Sequence, residues 1–500
     1  MNRISLLYSD DRVYDFKNIP DHSEQLIADL ELSVLFSVMA NKDEKILEAV
    51  QKILLGQRSN EMLVILFRQQ ILKDFMRHPL LVSEIYQHSL DTLEAYRDSL
   101  RFWLSAKSAS RRLRTNVELM GMLLAQLVKI RNLGTQYSHV ESTGLKTFFK
   151  FLQTDFSDEV LDKLRSQNSV LRFNHGFSIN AKLDHNNRSS KFLLNREQPS
   201  THWLQKFLSL NSSTEEYSFT ISQRDESGLT ALTEFRDAAL EPVAVIMDVA
   251  VQQFLDFFTR LRDESAFYQG ALNLCEALEN RGDVYCFPIP VTRQDPVCVA
   301  SKLYDPCLAL SQQETLVMND LRAENKSFIL ITGANSGGKS TFLRALGVNQ
   351  LLLQSGLPVA AEQFTASLCD EVYTHFKLEE DVSMCSGKFD EELLRMAALV
   401  PKLKATAMVL FNESFAATNE REGSEIAWEI CNALLEKGIK VVFVTHLYTF
   451  ARKLYAEKNP VLLALRAASN EEPTKKFTIS EAKPLSTSFA KEIYQKVFAD

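Results

Sequence analysis

The chain has 500 residues, 45% of them hydrophobic and 24% charged, enough apolar content for several cores and roughly two to four domains. No uninterrupted apolar run approaches the ~20 residues that span a bilayer. The start, Met1-Asn2-Arg3-Ile4-Ser5 followed by Asp10, Asp11 and Arg12, has no signal-peptide core, so a cytoplasmic location without a membrane partner is expected. A net charge of −8 excludes a global nucleic-acid signature and confines any DNA contact to a local patch.

After an N-terminal segment, 1–23, apolar residues recur at helical spacing over Glu24 to Met39, Lys45 to Leu55, Met62 to Met76, Pro79 to Leu104 and Ser108 to Ile130. Between Val170 and Gln223 the period shifts towards two, in Leu171-Arg172-Phe173, Phe177-Ser178-Ile179, Lys191-Phe192-Leu193-Leu194 and Tyr217-Ser218-Phe219-Thr220-Ile221. Asn174, Gly176, Asn186 and Asn187 separate these runs as turn formers. A small β-rich insertion, about 170–223, is therefore expected inside a helical region of residues 24–280. Helical spacing returns from Thr230 to Leu278, with Pro242 predicting a kink or break.

After Pro288, Pro290 and Pro296 the pattern alternates strand, helix, strand, as in an α/β nucleotide domain over 281–500. Seven cysteines (Cys275, Cys286, Cys298, Cys307, Cys369, Cys385, Cys431) show no C-x-x-C spacing and read as buried thiols, neither zinc ligands nor disulfides.

Within that domain, Gly333-Ala334-Asn335-Ser336-Gly337-Gly338-Lys339-Ser340 is an intact phosphate-binding loop, G-x-x-x-x-G-K-[ST]. The apolar run Phe328 to Thr332 precedes it and helical spacing from Thr341 to Gln354 follows, the order the motif needs. The glycines let backbone amides curl around phosphate oxygens, and the helix N-terminus adds partial positive charge. Lys339 would reach the β- and γ-phosphates of ATP, and Ser340 would place its hydroxyl on Mg²⁺.

A second buried-strand run, Ala407-Met408-Val409-Leu410-Phe411, ends in Asn412-Glu413, where a Walker B strand delivers groups beside Mg²⁺. Glu413 would polarise the attacking water. A third, Val441-Val442-Phe443-Val444, ends in Thr445-His446, whose imidazole can contact the γ-phosphate.

These stretches resemble the ATPase domain of the MutS DNA mismatch repair family, a branch of the ABC-type ATPases. The likeness lies in Ile331 to Arg344, Leu357-Pro358-Val359-Ala360-Ala361, Phe411-Asn412-Glu413-Ser414 and Phe443-Val444-Thr445-His446. Upstream, Val317-Met318-Asn319-Asp320 resembles the loop before the family's first ATPase strand, which adds Asn319 and Asp320 to the nucleotide-binding residues. Leu66-Phe67-Arg68-Gln69-Gln70-Ile71-Leu72-Lys73-Asp74 and Ala266-Phe267-Tyr268-Gln269-Gly270-Ala271 fit the family's core and lever region. The resemblance implies a multidomain chain: an all-α lever and core region with a β-rich insertion, then an α/β P-loop ATPase domain.

It also implies ATP with Mg²⁺, a DNA partner, and a homodimer in which the signature segment of one subunit completes the other's site. Ser386-Gly387-Lys388 is the signature segment here; on local residues alone it reads equally as a helix cap.

Four departures bear on the task. Asn412 stands where the family carries Asp, which predicts slow hydrolysis, and the usual glycine-rich segment reads Ser414-Phe415-Ala416-Ala417-Thr418-Asn419. With so few residues before residue 24, the N-terminal mismatch-reading domain with its Phe-x-Glu wedge is not expected. No endonuclease-like domain is visible ahead of Asp500.

Lys107, Arg111, Arg112, Arg114, Lys129 and Arg131, continued by Lys146, Lys150 and Lys163, form a basic stretch for salt-sensitive phosphate contacts, with a solvated helix face as its plain alternative. Three functions are consistent with these residues: an ATP-switched DNA clamp in repair or recombination, a related ATPase acting on structured RNA or ribonucleoprotein, and a nucleotide-gated scaffold with weak turnover.

Overall fold

Phe328 to Thr332 is buried along its whole length because it is the centre of a parallel sheet covered on both faces. In the computed structural model the described residues are 4–10, 12, 19–103, 108–173, 178–183, 189–195, 225–293, 296–314, 316–334, 337–377, 387–468 and 476–484. They divide into two units that do not follow chain order. One holds 1–4, 84–139 and 146–262; the other holds 5–83, 140–145 and 263–500.

The second unit opens with helices α1 (Ser23–Asp29), α2 (Leu32–Ala40), α3 (Glu44–Gly56) and α4 (Met62–Arg77). The single helix expected from Glu24 to Met39 is thus two, broken where Glu31 takes φ 54, a left-handed conformation. Further on come a short helix α10 (Pro306–Ser311), longer helices described with the site below, and strands β3 (Ile289–Val291), β4 (Val297–Leu303), β5 (Asn319–Glu324), β6 (Phe328–Thr332), β7 (Gln363–Ser367), β8 (Val372–Phe376), β9 (Met408–Asn412), β10 (Lys440–Val444), β11 (Leu462–Ala467) and β12 (Ile479–Glu481).

A six-stranded sheet runs β12-β11-β6-β10-β9-β8, parallel apart from β12, and a four-stranded sheet runs β3-β7-β4-β5. Parallel registry brings the carboxyl ends of β6, β9 and β10 side by side, pairing Val444 with both Ile331 and Asn412. Open parallel sheets bind ligands at that edge.

In the first unit, most of α5 (Pro79–Trp103) and α7 (Thr143–Asp155), with α6 (Ala109–Gln136) and α8 (Asp158–Val170), precede a hairpin of β1 (Ser178–Leu183) and β2 (Ser189–Asn195). Leu171-Arg172-Phe173 is not a strand: Leu171 and Arg172 form the turn after α8. The strand expected over Tyr217 to Ile221 lies outside the described residues.

Helix α9 (Glu226–Arg281) continues for 56 residues and includes Pro242, so the proline does not end it. Buried Leu240, Ala244, Met247, Val251, Phe254, Phe258 and Leu261 recur along it at alternating spacings of four and three. One window of α9 is long and apolar enough to cross a membrane by length and composition, a test that core helices also pass.

The family-like helical strings serve packing in the second unit. Arg68, fully buried, donates to the carbonyls of Leu7, Gln57 and Ser355. Tyr268 donates to Leu6 O at 2.6 Å, and Glu264 receives Ser5 Oγ and Leu6 N at 2.7 and 2.6 Å. Burial pushes the Glu264 carboxyl up to about 8. Residues 5–7 are therefore an internal peg.

Candidate functional site

A cavity of about 470 Å³ opens at one helix N-terminus, with Glu413, just past the end of β9, in its lining. Helix α11 (Lys339–Ser355) starts directly after the glycine loop and is buried over most of its length. Gly333 and Gly338 take φ 126 and φ 81, which only glycine adopts readily. A Cβ on Gly333 would lie 2.9 Å from the Ala467 carbonyl oxygen, so the loop needs glycine for space as well.

Lys339 is buried and donates to the carbonyl oxygens of Gly333 and Ala334 at 3.1 and 2.7 Å. Burial lowers its pKa, while Glu413 acts in the opposite sense. The side chain is thus held across the loop it serves. Ser340 donates to Oδ1 of Asn412, the last residue of β9, at 2.9 Å. Hydroxyl and amide oxygens in this pairing are hard donors, and Mg²⁺ bound through phosphates needs only one or two protein ligands, so the residues fit that ion. Among the described residues no group of three or more His, Cys, Asp or Glu offers a separate metal site.

Glu413 lines the cavity and lies 3.0 Å from Nε2 of His446, an ion-pair distance off the line of a hydrogen bond. The imidazole lowers the Glu413 carboxyl pKa against the effect of burial, with further help from Lys339 and Lys377. The carboxylate is therefore charged at neutral pH.

The turn that carries it is strained: Glu413 and Phe415, neither of them glycine, take φ 54 and φ 63. Phe415 does so within the segment where the glycine-rich family pattern is altered. Three contacts hold the turn. Glu413 N donates to Val444 O at 2.9 Å. Phe415 N donates to Glu392 of helix α12 (Lys388–Leu399) at 2.7 Å. Ser414 Oγ sits 2.8 Å from Nδ1 of His375, a ring that burial keeps neutral with a pKa of about 4. Gly423, in helix α13 (Glu420–Glu436), packs so closely that a Cβ would lie 2.3 Å from Phe415 O.

Of the sequence-predicted residues, Gly337, Gly338, Lys339, Ser340, Thr341, Asn319 and Glu413 line the cavity, with Gly333, Ala334, Asn412 and His446 in the contacts above. Asn335 and Ser336 lie outside the described residues, as do Ser386 and Cys385. Asp320 is not part of the lining; its carboxylate accepts the backbone N–H of Lys302 at 2.9 Å, beside a register shift between β4 and β5. Asn319 is shared: Ile479 N donates to its Oδ1 at 2.7 Å, joining β5 to β12. Gly387 is the N-cap of α12 and does not line this cavity.

Sequence reading missed Leu316 and Phe477, apolar residues that with Val317 line the mouth, and Phe477 backs Gly338. They come from separate loops and carry no local signal. Of the six described cysteines, five are buried and Cys286 partly so, all as free thiols.

Comparison with known proteins places the same regions in two family models: the MutS2 N-terminal domain over residues 60–281 and MutS domain V over residues 329–493. Among curated relatives, the DNA mismatch repair protein MutS of Thermotoga sp. (strain RQ2) is 34% identical over 134 residues, 27% of this chain and 17% of that protein. The Endonuclease MutS2 of Streptococcus mutans is 32% identical over 132 residues, 26% of this chain and 17% of that protein. The DNA mismatch repair protein MutS of Protochlamydia amoebophila is 26% identical over 232 residues, covering 43% and 27% respectively. The chain thus spans about a sixth to a quarter of the length of these relatives.

Proposed function

Because this chain belongs to the MutS family, we propose that it is a dimeric, cytoplasmic, DNA-binding ATPase that serves DNA repair or recombination. One observation carries the hydrolytic part: Lys339, Ser340 and Glu413 border a single cavity, with Asn412 and His446 in contact with them.

Glycine-loop amides and the N-terminus of α11 bind the phosphates, and Lys339 turns from the loop carbonyls to the β- and γ-phosphate oxygens. Leu316, Val317 and Phe477 form the apolar wall for the base. Ser340 and Asn412 would hold Mg²⁺, which would supply positive charge against the phosphates. Glu413, ionised and aligned by His446, orients the attacking water and takes its proton. Asn412 supplies no charge beside the ion, so turnover is slow. A lever and core region in the helical half transmits the nucleotide state, and the Ser386-Gly387 segment completes the site of a second copy.

The test is steady-state ATP hydrolysis, alone and with perfect duplex, mismatched duplex, branched DNA and structured RNA. DNA stimulates the wild type; Glu413→Gln keeps ATP affinity and loses about a hundredfold in rate. Unchanged turnover in Glu413→Gln would place the base elsewhere. Stimulation by structured RNA alone would move the partner to RNA, and no hydrolysis with any of them would leave a nucleotide-gated scaffold.

A further inference from the structure

The basic stretch of α6 is largely spent on internal pairs. Arg112 binds Glu241 and Asp248, and Arg131 binds Phe156 O and Asp158. Lys107 lies outside the described residues. Asp237, on α9, accepts Ser108 Oγ and Ser110 N at 3.2 and 3.1 Å, so that carboxylate is committed to the start of α6.

Beside these pairs the same unit holds a cavity of about 550 Å³ in which three arginines from different segments meet: Arg114 of α6, Arg172 from the turn after α8, and Arg236 of α9. Its floor includes Leu113, Val117 and Leu240, all buried. Glu118 is the one acid in the lining, and it faces Arg114 at 3.4 Å with both side chains more than half exposed, a pair worth little. Among the described residues neither Arg172 nor Arg236 has a carboxylate partner, and both are exposed. Three guanidinium groups against one carboxylate leave a local charge of two positives on a chain whose net charge is −8.

Resting on the nucleic-acid reading above, the geometry points to this cavity as the seat of the phosphodiester backbone of a bound nucleic acid strand. Guanidinium groups bind phosphate oxygens in fork geometry, and the apolar floor suits a sugar face. Backbone contacts of this kind position a strand without reading its sequence.

The experiment uses the full chain and a labelled duplex of about 40 base pairs in a salt titration. Arg172→Glu combined with Arg236→Glu lowers affinity tenfold or more and reduces the slope of log affinity against log salt by about two, one for each phosphate lost. Lys437→Glu combined with Arg452→Glu, an equal double reversal at exposed sites outside the cavity and the basic stretch, changes affinity less than about threefold. Melting of each variant checks its fold, and Arg172→Ala or Arg236→Ala alone gives an intermediate loss if the double reversal melts early. Unchanged affinity and slope in a well-folded double variant overturns the cavity assignment while leaving nucleic-acid binding standing. A wild type that binds neither duplex nor structured RNA overturns both. Displacement of the duplex by inorganic phosphate below millimolar concentration would make this a small-anion site and would also overturn the proposal.

Discussion

The two cavities proposed here for anions are of opposite construction. At the glycine loop the donors are consecutive in the chain, the lysine is buried, and the backbone is shaped by φ 126 and φ 81. In the helical unit the donors are three arginines more than fifty residues apart at their closest, exposed, on an ordinary apolar floor. The first concentrates its energy in a few desolvated contacts; the second spreads it over solvated charges. A site of the first kind fails at one residue, whereas one of the second kind weakens by degrees.

The sharpest test of that difference is Lys339→Ala. It removes the buried cation of the loop and lowers nucleotide affinity on the order of a hundredfold by titration calorimetry. Retained tight binding would erase the contrast. Next is Gly423→Ala, whose Cβ meets the Phe415 carbonyl at 2.3 Å. Overpacking there costs about 1–3 kcal/mol and displaces Glu413, so melting temperature and turnover fall together while nucleotide affinity holds.

The smallest effect concerns pH. Burial holds the folded Glu264 carboxyl at about 8, well above its ordinary value. Between those two values the folded chain keeps a proton that the unfolded chain has lost, so stability declines as pH rises through about 8. Glu264→Gln flattens that part of the decline in melts at pH 6 and pH 9. A slope identical to wild type would show that Glu264 titrates normally.

Local signals were legible and convergent ones were not. The glycine loop, its flanking strand and helix, and Asn412, Glu413 and His446 at strand ends follow from periodicity and spacing, because each is decided within a few residues. Helix α9 is also legible, and of the kink or break expected at Pro242 the break does not occur: the helix's many other backbone bonds and long apolar seam carry it past one missing donor. The turn at Leu171-Arg172-Phe173 shows how weak three alternating residues are against the end of a preceding helix. Asp320 illustrates the converse, a residue adjacent to the site in sequence that tertiary registry turns to a backbone amide. Phe477 and the arginine cavity depend on chain crossings that no window of sequence contains.

The peg formed by Ser5, Leu6 and Leu7 sets a timetable for biosynthesis. Its partners Glu264 and Tyr268 leave the ribosome more than 250 residues later, and the sheet of the same unit later still. The helical unit is complete once residue 262 has emerged, while the apolar faces of the earliest helices wait for their cover. At synthesis speeds of about 5–20 residues per second that interval lasts many seconds, long enough for a holdase to recognise the nascent chain.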